Sequence, residues 1–104
     1  MNEAEFEALA GAALKAIEQA LEKIDVDFEM KGGGVLEIEF HDGSKIIVNR
    51  HGAAREIWVA ARSGGFHFRW DGAAWRDTRD GTELFAALSK LVSQQAGQPV
   101  ILKA

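Results

Sequence analysis

The sequence has no cysteine and a single proline among its 104 residues. Without cysteine there is no disulfide, no thiolate metal site and no thiol nucleophile, so any metal must be held by oxygen or imidazole. The apolar runs are too short to cross a membrane, and the first residues are acidic where a secretory signal would be basic and then apolar. No membrane association is expected, and the cytoplasm is the expected compartment. Positive charge is scarce at the front of the chain. Residues 1–30 hold Glu3, Glu5, Glu7, Glu18, Glu22, Asp25, Asp27 and Glu29 against only Lys15 and Lys23, whereas the remainder is slightly basic and the net charge is -4. An acidic leading third repels phosphate backbones, so no nucleic-acid partner is expected; cations and basic protein surfaces suit it better.

What is present is enough for a core. A hydrophobic content of 47% supports one domain over residues 1–104 without help from metal or disulfide. From Glu3 to about Ile24, apolar residues at Phe6, Leu9, Ala10, Ala13, Leu14, Ile17, Leu21 and Ile24 have the spacing of an amphipathic helix. Asp25 to Met30 alternates acid and apolar residues, which predicts a strand with Val26, Phe28 and Met30 inward. Val35 to Phe40 alternates again after a glycine-rich reversal. Lys45–Asn49, Glu56–Ala61 and Phe66–Trp70 are rich in β-branched and aromatic residues, and Ala74–Arg76 can add a short sixth strand. Connections this short require antiparallel neighbours. Asp80 and Glu83 have the form of a capping box before Leu84, Leu88, Leu91 and Gln95, and Gly97 and Pro99 end that second helix. The expected fold class is α+β, a two-layer sandwich with two helices on one face of an antiparallel meander.

Strand alternation places Ile46, Val48, Ile57, Val59, Phe66, Phe68 and Trp70 on the helix side and Ile47, Asn49, Trp58, His67 and Arg69 on the other. Trp58 must then leave the core. Its replacement by Ala is expected to cost little stability, and with Ile47 and Ala60 it forms an uncharged patch suited to a protein partner. On the first helix Glu7, Glu18, Glu22 and Asp25 project within an arc of about 60° beside the apolar stripe, and Asp25, Asp27 and Glu29 form the outward row of the first strand. His41, His51 and His67 lack the close spacing of a zinc or non-haem iron site. No nucleophile with a base and an orienting acid is visible, so no enzymatic activity is expected. The glycine triplet lacks the Lys-Ser/Thr pair of a phosphate loop.

The order of elements, together with Gly33-Gly34-Val35-Leu36, the run from Asp42 to Arg50, Ile57-Trp58-Val59-Ala60, Gly64-Gly65-Phe66-His67-Phe68, Trp75 and Gln94-Gln95-Ala96-Gly97, resembles the frataxin family over nearly the full chain. The resemblance implies an iron-binding accessory protein of iron–sulfur cluster assembly, an iron donor or regulator that engages a cysteine desulfurase and its scaffold protein. A monomer is the expected state, and the sequence leaves open whether iron drives oligomer formation. Iron as Fe2+ or Fe3+ would be held weakly by Glu18, Glu22, Asp25, Asp27 and Glu29, since both ions accept carboxylate oxygen. Gln19 and Lys23 stand where bacterial members often carry acids, which predicts a weaker ridge. Asn49 matches a partner-contacting asparagine of the family, and the partner face would comprise Ile47, Asn49, Trp58 and His67. Two other readings are a pure interaction module whose acidic ridge docks a basic partner with incidental metal binding, and a ferroxidase, which would need a fixed metal site that the sequence does not show.

Overall fold

The computed structural model describes residues 1–104, in the order α1 (Glu3–Leu21), β1 (Asp27–Lys31), β2 (Val35–Glu39), β3 (Lys45–His51), β4 (Glu56–Ala61), β5 (Gly64–Trp70), β6 (Trp75–Asp77) and α2 (Leu84–Ala96). Asn2 starts α1 with a capping box that the sequence reading missed: its side chain accepts the Glu5 N–H at 2.8 Å, and Glu5 accepts the Asn2 N–H at 3.1 Å. The helix ends at Leu21, earlier than the periodicity suggested, with Glu22 as its C-cap. Asp25 therefore lies beyond the helix and does not extend its carboxylate row.

The six strands form one antiparallel meander in sequence order. Its register stacks the inward residues across strands, with Leu36 opposite Val48, Val48 opposite Val59, and Ile57 opposite Phe68. These join Phe6, Ala10, Leu14 and Ile17 of α1 and Leu84, Leu88 and Val92 of α2 in a core of 21 buried residues. The expected α+β sandwich is what forms, with both helices behind the sheet. Three expectations are corrected at its margins. Met30 was expected inward but is exposed, because β1 is the edge strand and has a neighbour on one side only. Phe66 and Trp70 face the helix side but are only partly buried. Asp80 does not cap α2: it accepts the Thr82 N–H in a local turn, and Glu83 is the cap, accepting from Phe85 and Ala86. A bridge between Arg76 and Glu83 keeps Glu83 extended, which delays the helix.

Two long-range polar clamps fix the second layer. Buried Gln95 of α2 accepts the Arg62 N–H at 3.0 Å and donates to Ser44 Oγ at 2.9 Å, tying the helix to two sheet turns. After Gly97 ends the helix in the left-handed conformation (φ 73°), the tail runs back along α2. Ser93 Oγ accepts the Val100 N–H and Ser89 Oγ accepts the Leu102 N–H, each at 2.8 Å, which seats Leu102 in the core.

Candidate functional site

The sheet face away from the helices has no covering layer, so its side chains define what the protein presents. Across its centre Asn49 lies opposite Trp58 and Trp58 opposite His67; in the next row His51 lies opposite Glu56 and Glu56 opposite Arg69. Trp58 is not the free ring that alternation alone suggests. It lies between two imidazoles, with ring centroids 3.7 Å from His51 and 4.5 Å from His67 and interplanar angles of 10°. Its indole N–H donates to Glu56 Oε1 at 2.8 Å. The other Glu56 oxygen takes two bonds from Arg69, at 2.6 and 3.1 Å, and His67 Nδ1 lies 3.3 Å from Oε1. Glu56 is 5% exposed because these side chains lie over it.

Burial works to raise the Glu56 pKa, but the Trp58 N–H, the Arg69 guanidinium and His67 outweigh it and hold the pKa below the usual value. His51 Nδ1 accepts the Ala54 N–H at 3.2 Å, so the neutral ring carries its proton on Nε2. Beside the stack, Ile47, Asn49, Trp58, Ala60, Gly65 and His67 border an open, mostly apolar recess of about 250 Å³. The structure thus brings Ile47, Asn49, Trp58 and His67 onto one surface. It adds three residues that the sequence reading left out of the site: Glu56, His51 and Arg69. Period-two alternation was the available signal for both, Glu56 counting back from Trp58 and His51 counting on from Asn49, but the expected third strand ended at Asn49, two residues short.

The acidic residues divide into two groups. Glu18 lies on α1, half-buried, and Glu22 caps its C-terminal end, exposed, while Asp27 and Glu29 point outward from β1 and Asp25 precedes it, all three exposed. Asp27 lies opposite Glu39, and Glu29 opposite Glu37. Lysines partly neutralise this edge: Lys45 lies 2.7 Å and Lys31 3.1 Å from Glu37, and these contacts lower its pKa. Asp25, Asp27, Glu39 and His41 border a polar recess of about 300 Å³ near the end of α2. No three His, Asp or Glu side chains converge into a ready-made coordination shell. Chemically, the edge can attract hard cations and exchange them quickly.

An antiparallel six-stranded sheet backed by two terminal helices, with an uncovered aromatic face and an acidic edge, defines an α+β sandwich of the frataxin type. The chain belongs to the frataxin family: the family model described as "Frataxin-like domain" matches residues 1–98. It is 65% identical over 105 residues to the "Iron-sulfur cluster assembly protein CyaY" of Dechloromonas aromatica, covering 99% of this chain and 100% of the relative. It is 53% identical over 105 residues to the protein of the same name from Paraburkholderia phytofirmans, with 100% of both chains covered. The solved frataxin from Psychromonas ingrahamii, of the CyaY family, superposes with a TM-score of 0.90 at 31% identity over 100% of both chains. A trimeric yeast frataxin complexed with ferrous iron shares the fold, with a TM-score of 0.68 at 22% identity over 94% of this chain and 88% of that one. No helix is long and apolar enough to cross a membrane.

Proposed function

We propose that this chain is an iron-binding accessory protein of iron–sulfur cluster assembly, acting in the cytoplasm as iron donor or regulator of a cysteine desulfurase–scaffold complex and not as a catalyst. The observation that carries this reading is the uncovered sheet face. A tryptophan held rigid between two imidazoles loses little side-chain entropy on docking, which is the property of a binding hot spot. Names of relatives matched over their full length support the pathway. In this reading Ile47, Asn49, Trp58 and His67 dock the partner. Glu18, Glu22, Asp25, Asp27 and Glu29 hold Fe2+ or Fe3+ as cargo, weakly, through carboxylates that do not converge on one centre.

That dispersed geometry also favours a second reading, in which the ridge docks a basic partner and metal binding is incidental. Titrating Fe(II) into the protein, with and without a desulfurase–scaffold complex, separates the two. Changing the five ridge acids together to Gln or Asn should leave the fold intact, since like-charge repulsion is relieved, and should abolish iron binding. Iron binding unchanged in that variant removes the ridge from the proposal. Loss of partner association in the variant, with no iron bound by the parent, favours the second reading.

A further inference from the structure

The sheet has two edges, and one of them is closed. Beyond β6 the segment that leads into α2 continues the pairing: Arg76 bridges Glu83, and the Asp77 N–H donates to the Thr82 carbonyl at 2.8 Å. The other edge, β1, has no such neighbour. Its pairing with β2 runs without a bulge from Asp27 opposite Glu39 to Lys31 opposite Val35. Edge strands are ordinarily kept from pairing with other chains by a proline, a bulge or an inward-pointing charge. β1 has none of these, and its inward residues are Phe28 and Met30.

Antiparallel pairing fixes which backbone groups face that open edge. The Arg50 N–H donates to the Gly34 carbonyl and the Phe40 N–H to the Ser44 carbonyl, so the even-numbered residues of this run bond towards β3 and the odd-numbered ones, Val35, Glu37 and Glu39, bond towards β1. Their partners are Lys31, Glu29 and Asp27. Phe28 and Met30 therefore turn their N–H and C=O groups to the open edge, and the Met30 side chain, 38% exposed, is one of the few large apolar groups left uncovered. The charges on β1 fit a second β1. With two such strands antiparallel and Met30 opposite Met30, each Glu29 faces Lys31 of the other copy, Asp27 falls opposite the Gly33 turn, and no like charges are opposed. Centring the pair on Glu29 sets the two Glu29 side chains against each other, and centring it on Phe28 sets Asp27 against Glu29. The Met30 register alone joins the outward backbone groups, brings two exposed methionines together and matches the charges.

We propose that β1 is a self-association surface: two copies of the chain pair through it without metal, in a two-fold symmetric dimer centred on Met30 that joins their sheets into one. Five residues and two exposed ion pairs make a small interface, so the dimer is weak, with a dissociation constant of about 0.1–1 mM. The test is NMR diffusion and amide hydrogen exchange on the isotope-labelled protein from about 20 µM to 2 mM with a chelator present, so that the result does not depend on iron binding by the ridge. Diffusion is expected to slow with concentration, and exchange at the Phe28 and Met30 amides to slow with it. Glu29→Lys should weaken association about tenfold although it lowers the net negative charge, because it sets Lys against Lys31; Lys31→Glu should weaken it to a similar extent. The double variant Glu29→Lys with Lys31→Glu should return to within about threefold of the parent, since it exchanges the two charges and keeps the register. All three change exposed side chains, and circular dichroism checks that each is folded. A protein that stays monomeric at about 2 mM overturns the inference, as does association that appears only when Fe(II) is added. Glu29→Lys associating as tightly as the parent, or more tightly, overturns it too, since the contact would then follow overall charge and not this register. Trp58→Ala should associate as the parent does, which separates this result from the docking proposal; loss of association in that variant would move the interface to the sheet face and overturn the assignment to β1.

Discussion

Trp58→Ala is expected to destabilise the protein by about 2–3 kcal/mol, more than alternation suggests and less than loss of a core aromatic. The indole N–H bond to ionised Glu56 contributes about 1 kcal/mol after allowance for partial exposure, and each stacked imidazole about 0.5–1 kcal/mol. No cavity is left, since the ring lies on the outer face and water fills its place. Phe68→Ala, by contrast, empties a site with 0% exposure and should cost about 3–5 kcal/mol. Trp58→Phe keeps an aromatic ring between the histidines and loses only the donor, so about 1 kcal/mol is expected. Urea unfolding followed by far-ultraviolet circular dichroism measures all three without relying on tryptophan fluorescence. The Trp58→Phe penalty has a pH signature. Because the folded pKa of Glu56 is depressed, its contribution is present above the unfolded value near 4.5 and lost as pH falls through the lower folded value. Trp58→Ala within about 0.5 kcal/mol of the parent would refute the contribution of the stack, and a loss equal to that of Phe68→Ala would mean that the ring is core.

Asp42 should titrate near 2 in a carboxyl-detected NMR experiment, held down by Ser44 first and then by Arg62; its contribution to stability is present above the ordinary value of 3.8 and disappears as pH falls through about 2. Arg62→Gln should move that midpoint up only part of the way, and a full return to 3.8 contradicts the primacy of Ser44. Leu102→Ala should cost about 2–3 kcal/mol, and Ser89→Ala with Ser93→Ala should speed hydrogen exchange at Val100 and Leu102; unchanged exchange would show that the serines do not hold the tail. Gly34→Ala should cost more than Gly33→Ala in a thermal melt. Both have positive φ, but a Cβ at Gly34 would lie 2.8 Å from the Arg50 guanidinium, whose ion pair with Glu7 links β3 to α1. Equal losses would leave the Arg50 contact without weight.

The two groups of the candidate site were legible to different degrees. Asp27 and Glu29 were placed correctly because a strand's period of two decides which face a residue takes, and that period is written in five or six consecutive residues. The same rule put Ile47, Asn49, Trp58 and His67 on one face. It could not show that His51 would lie flat against Trp58, because a β3 residue reaches a β4 ring only through the pairing register, set jointly by both strands and their loop. Asp25 illustrates the opposite error. Helical projection lined it up with Glu18 and Glu22 and strand alternation with Asp27 and Glu29, but the helix stopped at Leu21 and the strand began at Asp27, so neither period reaches it.

By itself the sequence determined the helices, the strands, their order and the inward face of each, because apolar periodicity and turn residues act over a few positions and short connections permit only antiparallel neighbours. Tertiary structure alone decided what those faces do. It exposed Met30 at an edge, drew Glu56 under Trp58, His67 and Arg69, used Gln95 to join α2 to residues 33 and 51 positions away, and buried Asp77 at the end of β6, where it accepts the Arg79 N–H. Each depends on distances between segments remote in the chain. Those distances follow from how the whole sheet pairs and how both helices seat on it, which no local pattern encodes.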